Sequence, residues 1–79
     1  MKIRYTLHAL ERMKQRGIDK ELVEECLENP DRILFEEDTH KCVKKIGDKV
    51  LVAIYRKNDD SILVITAFLS TKTRKYLDK

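Results

Sequence analysis

The chain has no tryptophan, one proline, two glycines and a single glutamine among its 79 residues. So few chain breakers leave little room for a linker or a long irregular loop, and residues 1–79 read as a single domain. Gly17 and Gly47 stand far apart, so no glycine-rich phosphate loop can be drawn. No segment approaches the roughly 20 apolar residues of a membrane span. The opening "MKIRYTLHAL" carries charges and no apolar core, which argues against a secretory leader and predicts a cytoplasmic protein. Cys26 and Cys42 form no C-x-x-C pair and have no histidine at ligand spacing. Both fall at apolar positions, which predicts packing rather than a disulfide or a metal site. No cofactor and no metal are implied.

What the chain has in abundance is charge, at 39% of residues, well above the roughly 25% of ordinary domains. Dense Val/Ile/Leu runs after residue 49 exclude disorder as the meaning of that charge. The net +3 is unevenly laid out. Residues 1–18 carry five Lys/Arg against one acid, residues 19–39 two against nine, and residues 40–79 ten against four. Such blocks make either solvated faces or a bipolar surface, with one pole for a polyanion and one for a basic partner.

Hydrophobic periodicity gives two helices followed by strands. Thr6 can cap a helix reaching Arg16, with Gly17 as its left-handed terminator. Asp19 then caps a second helix, Ile18 packs against Val23 as a staple, and Asn29-Pro30 ends it. Beyond Pro30 the period becomes two. "RILFEE", "HKCVKKI", "KVLVAIYRK" and "SILVITAFL" read as strands, with Gly47-Asp48 as a hairpin turn. The last two are apolar on both faces and therefore central or covered. The tail "STKTRKYLDK" is basic, and Ser70 can cap a final helical turn. These spans predict an α+β domain in which two N-terminal helices pack on a four-stranded antiparallel meander.

In "LHALERMKQRG", His8, Arg12 and Arg16 recur every fourth residue and share one side of the first helix. Leu7 and Leu10 offer one apolar side, Ala9 and Met13 another. If the leucines meet the sheet, the cationic stripe is plain solvated surface. If Ala9 and Met13 do, it borders the core. Spacing does not choose between them. Histidine titrates nearest neutrality, so a shielded His8 suits proton transfer, and His40 is the only other imidazole. Lys44, Arg56, Lys72, Arg74 and Lys75 could track a phosphate backbone, although lysines also commonly occupy exposed strand faces. Thr66 interrupts "ILVITAFL", either as a β-branched strand residue or as a hydroxyl seeking a phosphate.

The segment "HALERMKQRGIDKELVEECLENPDRIL" resembles the opening of a small prokaryotic family of unknown function, and "ILVITAFLSTKTRKYL" resembles its end. That family has been grouped with the barnase–EndoU–colicin–RelE type of metal-independent ribonucleases, whose members are often toxins of toxin–antitoxin pairs. The resemblance implies that His8, Arg12, Arg16 and Thr66 converge at one site and that Ala9 and Met13 face the sheet. It implies RNA as substrate, an antitoxin-like protein as partner, and cleavage by the ribose 2′-hydroxyl. The remaining alternatives are a module that binds nucleic acid or a protein without turnover, and a purely structural role in which Arg12 and Arg16 pair with acids of the second helix.

Overall fold

The computed structural model describes residues 2–77; residues 1, 78 and 79, the last two of which belong to the basic tail, lie outside the described residues. The elements run β1 (Lys2–Tyr5), α1 (Leu7–Arg16), α2 (Lys20–Glu28), β2 (Arg32–Glu36), β3 (Thr39–Ile46), β4 (Lys49–Lys57), β5 (Ser61–Ser70) and α3 (Thr73–Leu77). The strands form one sheet in the order β1-β5-β4-β3-β2. β2 to β5 make the expected antiparallel meander. β1 corrects the expectation of four antiparallel strands. It joins as a fifth strand, parallel to β5, with Lys2 opposite Ser61 and Tyr5 opposite Val64. "KIRY" offers only two inward apolar side chains, Ile3 and Tyr5, too few for alternation to be read. The sheet is therefore mixed, and the final helical turn expected in the basic tail is α3.

Local chemistry sets the helix boundaries. Thr6 is extended (φ −71°, ψ 159°) and its side chain accepts from the Ala9 N–H, satisfying one of the donors left free at a helix start. Gly17 ends α1 at φ 65°, ψ 34°, with its N–H turned back to the carbonyls of the last turn. Asp19 caps α2 through its main chain alone, without a side-chain bond. Gly47 supplies φ 62° in the β3–β4 turn. Ser70 does not cap α3; its hydroxyl accepts from the Lys72 N–H instead. None of the described helices is long and apolar enough to cross a membrane.

Two apolar clusters sandwich the sheet. On one face α1 and α2 bury Ala9, Met13, Ile18, Val23 and Cys26 against Leu51, Ala53 and Val64. On the other, Tyr76 and Leu77 of α3 pack with Phe68 and Leu34 around Val43, Val50 and Val52. Cys26 of α2 and Cys42 of β3 are fully buried free thiols with sulfurs 3.2 Å apart. The hydrogen bond to Cys42, together with burial, pushes the Cys26 thiol far above its ordinary pKa. Tyr5 donates to Glu24 at 3.1 Å and so ties β1 to α2. Burial first, and the Glu24 carboxylate second, raise its pKa to about 12.

One irregularity matters for the site. Thr66 lies opposite Ile54, yet Val64 lies opposite Tyr55, so Ile65 is an extra residue in β5. A bulge shifts the parity of everything after it. Ile62 and Val64 face the helices before it, and Ala67 and Leu69 do so after it. Had the strand been regular, Thr66 and Phe68 would occupy those places.

Candidate cleft between the first helix and the last strand

Which side of α1 meets the sheet decides what becomes of its cations. Ala9 is fully buried and Met13 is 3% exposed, whereas Leu7 is 73% exposed. A small residue at position 9 lets the helix axis approach β5 closely, and Met13 fills the space one turn on. The side bearing His8, Arg12 and Arg16 therefore borders the core.

Thr6 fixes where the helix starts relative to the strand. Its N–H donates to the Val64 carbonyl at 3.0 Å, continuing the β1 ladder by one bond. Its hydroxyl accepts from the Ala9 N–H at 3.0 Å and donates to the Ile65 carbonyl at 2.9 Å. The bulged residue is thus stitched to the cap of α1. Strand pairing by β1 stops at Val64, so beyond the bulge α1, rather than a strand, lies beside the outer edge of β5.

A cleft of about 310 Å³ opens there, lined by His8, Arg12 and Arg16 from α1 and by Thr66, Ala67 and Phe68 from β5. The structure therefore places His8, Arg12, Arg16 and Thr66 around one space. The three helix side chains are exposed at its mouth, and Thr66 is half-buried. Among the described residues, neither arginine pairs with an acid of α2, so the guanidinium forks are available to an anion. No group of three His, Cys, Asp or Glu among the described residues is placed to hold a metal ion.

The other sequence candidates lie elsewhere. Lys44 donates to the Asn29 carbonyl at 3.0 Å, beyond the end of α2. Arg56 sits 3.7 Å from Asp38. Lys72 precedes α3, and Arg74 and Lys75 are exposed upon it. None of the five lines the cleft. His40 is on β3, two strands from β5, about 10 Å at ordinary strand spacing. Its ring stacks on Tyr55 at 5.2 Å and meets Phe35 edge-on at 4.9 Å. Phe68, a wall of the cleft, has the Tyr76 ring edge-on behind it at 6.1 Å. Periodicity could not flag Phe68, because the bulge sets which face it occupies.

Fold and cleft together define a class: a small α+β domain presenting a helix-borne cationic stripe beside the open half-edge of its last strand. The chain belongs to the family described as a domain of unknown function, DUF4258, whose match spans residues 5–71. That span holds every residue lining the cleft and leaves out α3. No curated protein and no solved structure matches the chain.

Proposed function

We propose that the cleft takes the sugar–phosphate backbone of RNA and cleaves it without a metal ion, in the manner of the barnase–EndoU–colicin–RelE ribonucleases. The ribose 2′-oxygen attacks the adjacent phosphorus while the bond from phosphorus to the 5′-oxygen breaks. The products are a 2′,3′-cyclic phosphate and a 5′-hydroxyl. One proton leaves the 2′-hydroxyl and one reaches the departing oxygen. His8 carries a proton, Arg12 and Arg16 neutralise the charge that builds on the phosphorane oxygens, and Thr66 orients the phosphate. Neither His40, two strands away, nor Tyr76, behind Phe68, lines the cleft, so water carries the second proton. A protein of this kind would act as the toxin of a toxin–antitoxin pair.

The observation that supports this reading is the convergence on one cleft of an imidazole, a hydroxyl and two guanidiniums that pair with no acid among the described residues. The exposure of His8, Arg12 and Arg16 favours a second reading, in which RNA is held without turnover. Incubating RNA with the protein in EDTA separates the two. Cleavage that falls by about 10²-fold or more in His8→Ala and is lost in Arg12→Ala supports the nuclease. Salt-dependent binding without cleavage supports the binding module. Cleavage that survives both substitutions removes this site from the reaction.

A further inference from the structure

The cleft makes no use of sulfur, yet the two cysteines of the chain meet in the core. α2 lies across β3 and β4. Cys26 stands in the last turn of α2 and Cys42 in the middle of β3. Their sulfurs are 3.2 Å apart, whereas the Leu51 carbonyl is 4.0 Å from Cys26. The two are 16 residues apart in the chain and belong to elements of different period, so only the fold brings them together.

Two thiols in contact suit either a metal ion or a covalent bond. A closed zinc site takes four ligands, and no group of three His, Cys, Asp or Glu among the described residues is placed to hold a metal. A disulfide needs these two alone. Closing from 3.2 Å to the disulfide length of about 2.05 Å moves each sulfur by roughly 0.6 Å, a modest turn about χ1. The pair is also divided in role. Cys26 donates its hydrogen to Cys42. That bond first, and the main-chain N–H groups of Ala53 and Cys42 after it, lower the Cys42 thiol, although burial opposes them. The same bond raises Cys26. Cys42 is therefore the sulfur that carries negative charge while Cys26 holds the proton, the division that thiol–disulfide exchange exploits.

We propose that Cys26 and Cys42 are a disulfide site, which a small-molecule disulfide closes into a covalent bond pinning α2 to β3. The Cys42 thiolate attacks one sulfur of the small disulfide, whose S–S bond breaks and releases a first thiolate. The Cys26 sulfur then attacks the Cys42 sulfur, the mixed S–S bond breaks, and a second thiolate leaves. Each departing thiolate takes one of the two protein protons. The protein thiols lose two electrons in all, and the small disulfide is reduced to two thiols. Both sulfurs are fully buried, so the reagent enters when α2 lifts locally, and the finished bond is shielded from reductants. This site does not depend on the reading of the cleft.

The test equilibrates the full chain with glutathione buffers of graded ratio, natively and in urea. Samples are quenched in acid, freed of glutathione, alkylated with N-ethylmaleimide in urea and weighed as intact chains. The expected product is a monomer that has lost two hydrogens, takes up no alkyl group and regains both thiols in dithiothreitol. Fold and bond favour each other equally, so the constant for closing the bond should be at least about tenfold greater natively than in urea. The oxidised chain should melt roughly 10 °C or more above the reduced one. An equal or smaller native constant would overturn the proposal. So would two alkylated thiols at every buffer ratio, linkage between chains in place of within them, or an oxidised chain that melts no higher. In Cys26→Ala, checked for folding by circular dichroism, a mixed disulfide with glutathione is expected at Cys42. Its accumulation in Cys42→Ala alone would overturn the assignment of Cys42 as the attacking sulfur.

Discussion

Replacing Thr6 with valine keeps the shape of the side chain and removes only its hydroxyl. Two bonds go with it: the cap on the Ala9 N–H and the donation to the Ile65 carbonyl. Loss of a threonine cap costs about 1 kcal/mol. Leaving a part-buried carbonyl without its donor costs about another 1 kcal/mol. The sum of about 2 kcal/mol lowers the Tm of a domain this size by roughly 8–16 °C. Thermal denaturation followed by circular dichroism reads the shift, and Thr6→Ser, which retains both bonds, is expected to recover most of it. Thr6 does not line the cleft, but it sets the start of α1 against the bulge. The RNA binding proposed for the cleft is accordingly expected to weaken in the valine variant well below its melting temperature. A Tm within about 2 °C of wild type would refute the claim that this hydroxyl joins helix to strand, since the two lost bonds would then be worth almost nothing.

Other expectations follow from the packing. Met13→Ala should cost about 3 kcal/mol in urea denaturation, while Leu7→Ser should stay within about 0.5 kcal/mol; the reverse order would mean that the leucine side of α1 meets the sheet. The Tyr5 hydroxyl, raised to about 12, is neutral in both folded and unfolded chains below about pH 10, the unperturbed tyrosine value. Its contribution to stability is therefore complete below that pH and lost as pH climbs through about 12. Comparing urea denaturation at about pH 9 and pH 11, the fall seen in wild type should be smaller in Tyr5→Phe. With no thiolate exposed, Cys26 and Cys42 should react with iodoacetamide only as fast as the fold opens; a native rate equal to that in urea would contradict their burial.

The elements that sequence revealed are those announced by local chemistry. Thr6 and Gly17 bracket α1, Asn29-Pro30 closes α2, and the apolar or alternating runs of β2 to β5 are long enough to read. β1 was illegible because four residues give two inward side chains, and because its partner, β5, lies at the far end of the chain. Periodicity placed His8, Arg12 and Arg16 on one side of a helix but left open which side that was. Burial of Ala9 and Met13, and not of Leu7, decides it. Thr66 was visible only as an interruption. Its place at the cleft follows from the extra residue at Ile65, and no side-chain pattern announces a bulge whose neighbours are all β-branched.

The parallel pairing of β1 with β5 has a consequence for how the protein comes into being. The first strand can find its partner only after the last strand exists, and the cleft takes one wall from residues 8–16 and the other from residues 66–68. Closing so long a loop is among the slower events in folding a small domain. During synthesis, α1 and α2 leave the ribosome with their apolar sides uncovered and their cations facing nothing. No truncated chain ending before β5 contains a cleft at all. Whatever chemistry the cleft performs is withheld until β5 has been made, so chains that stop short of it are inert by construction.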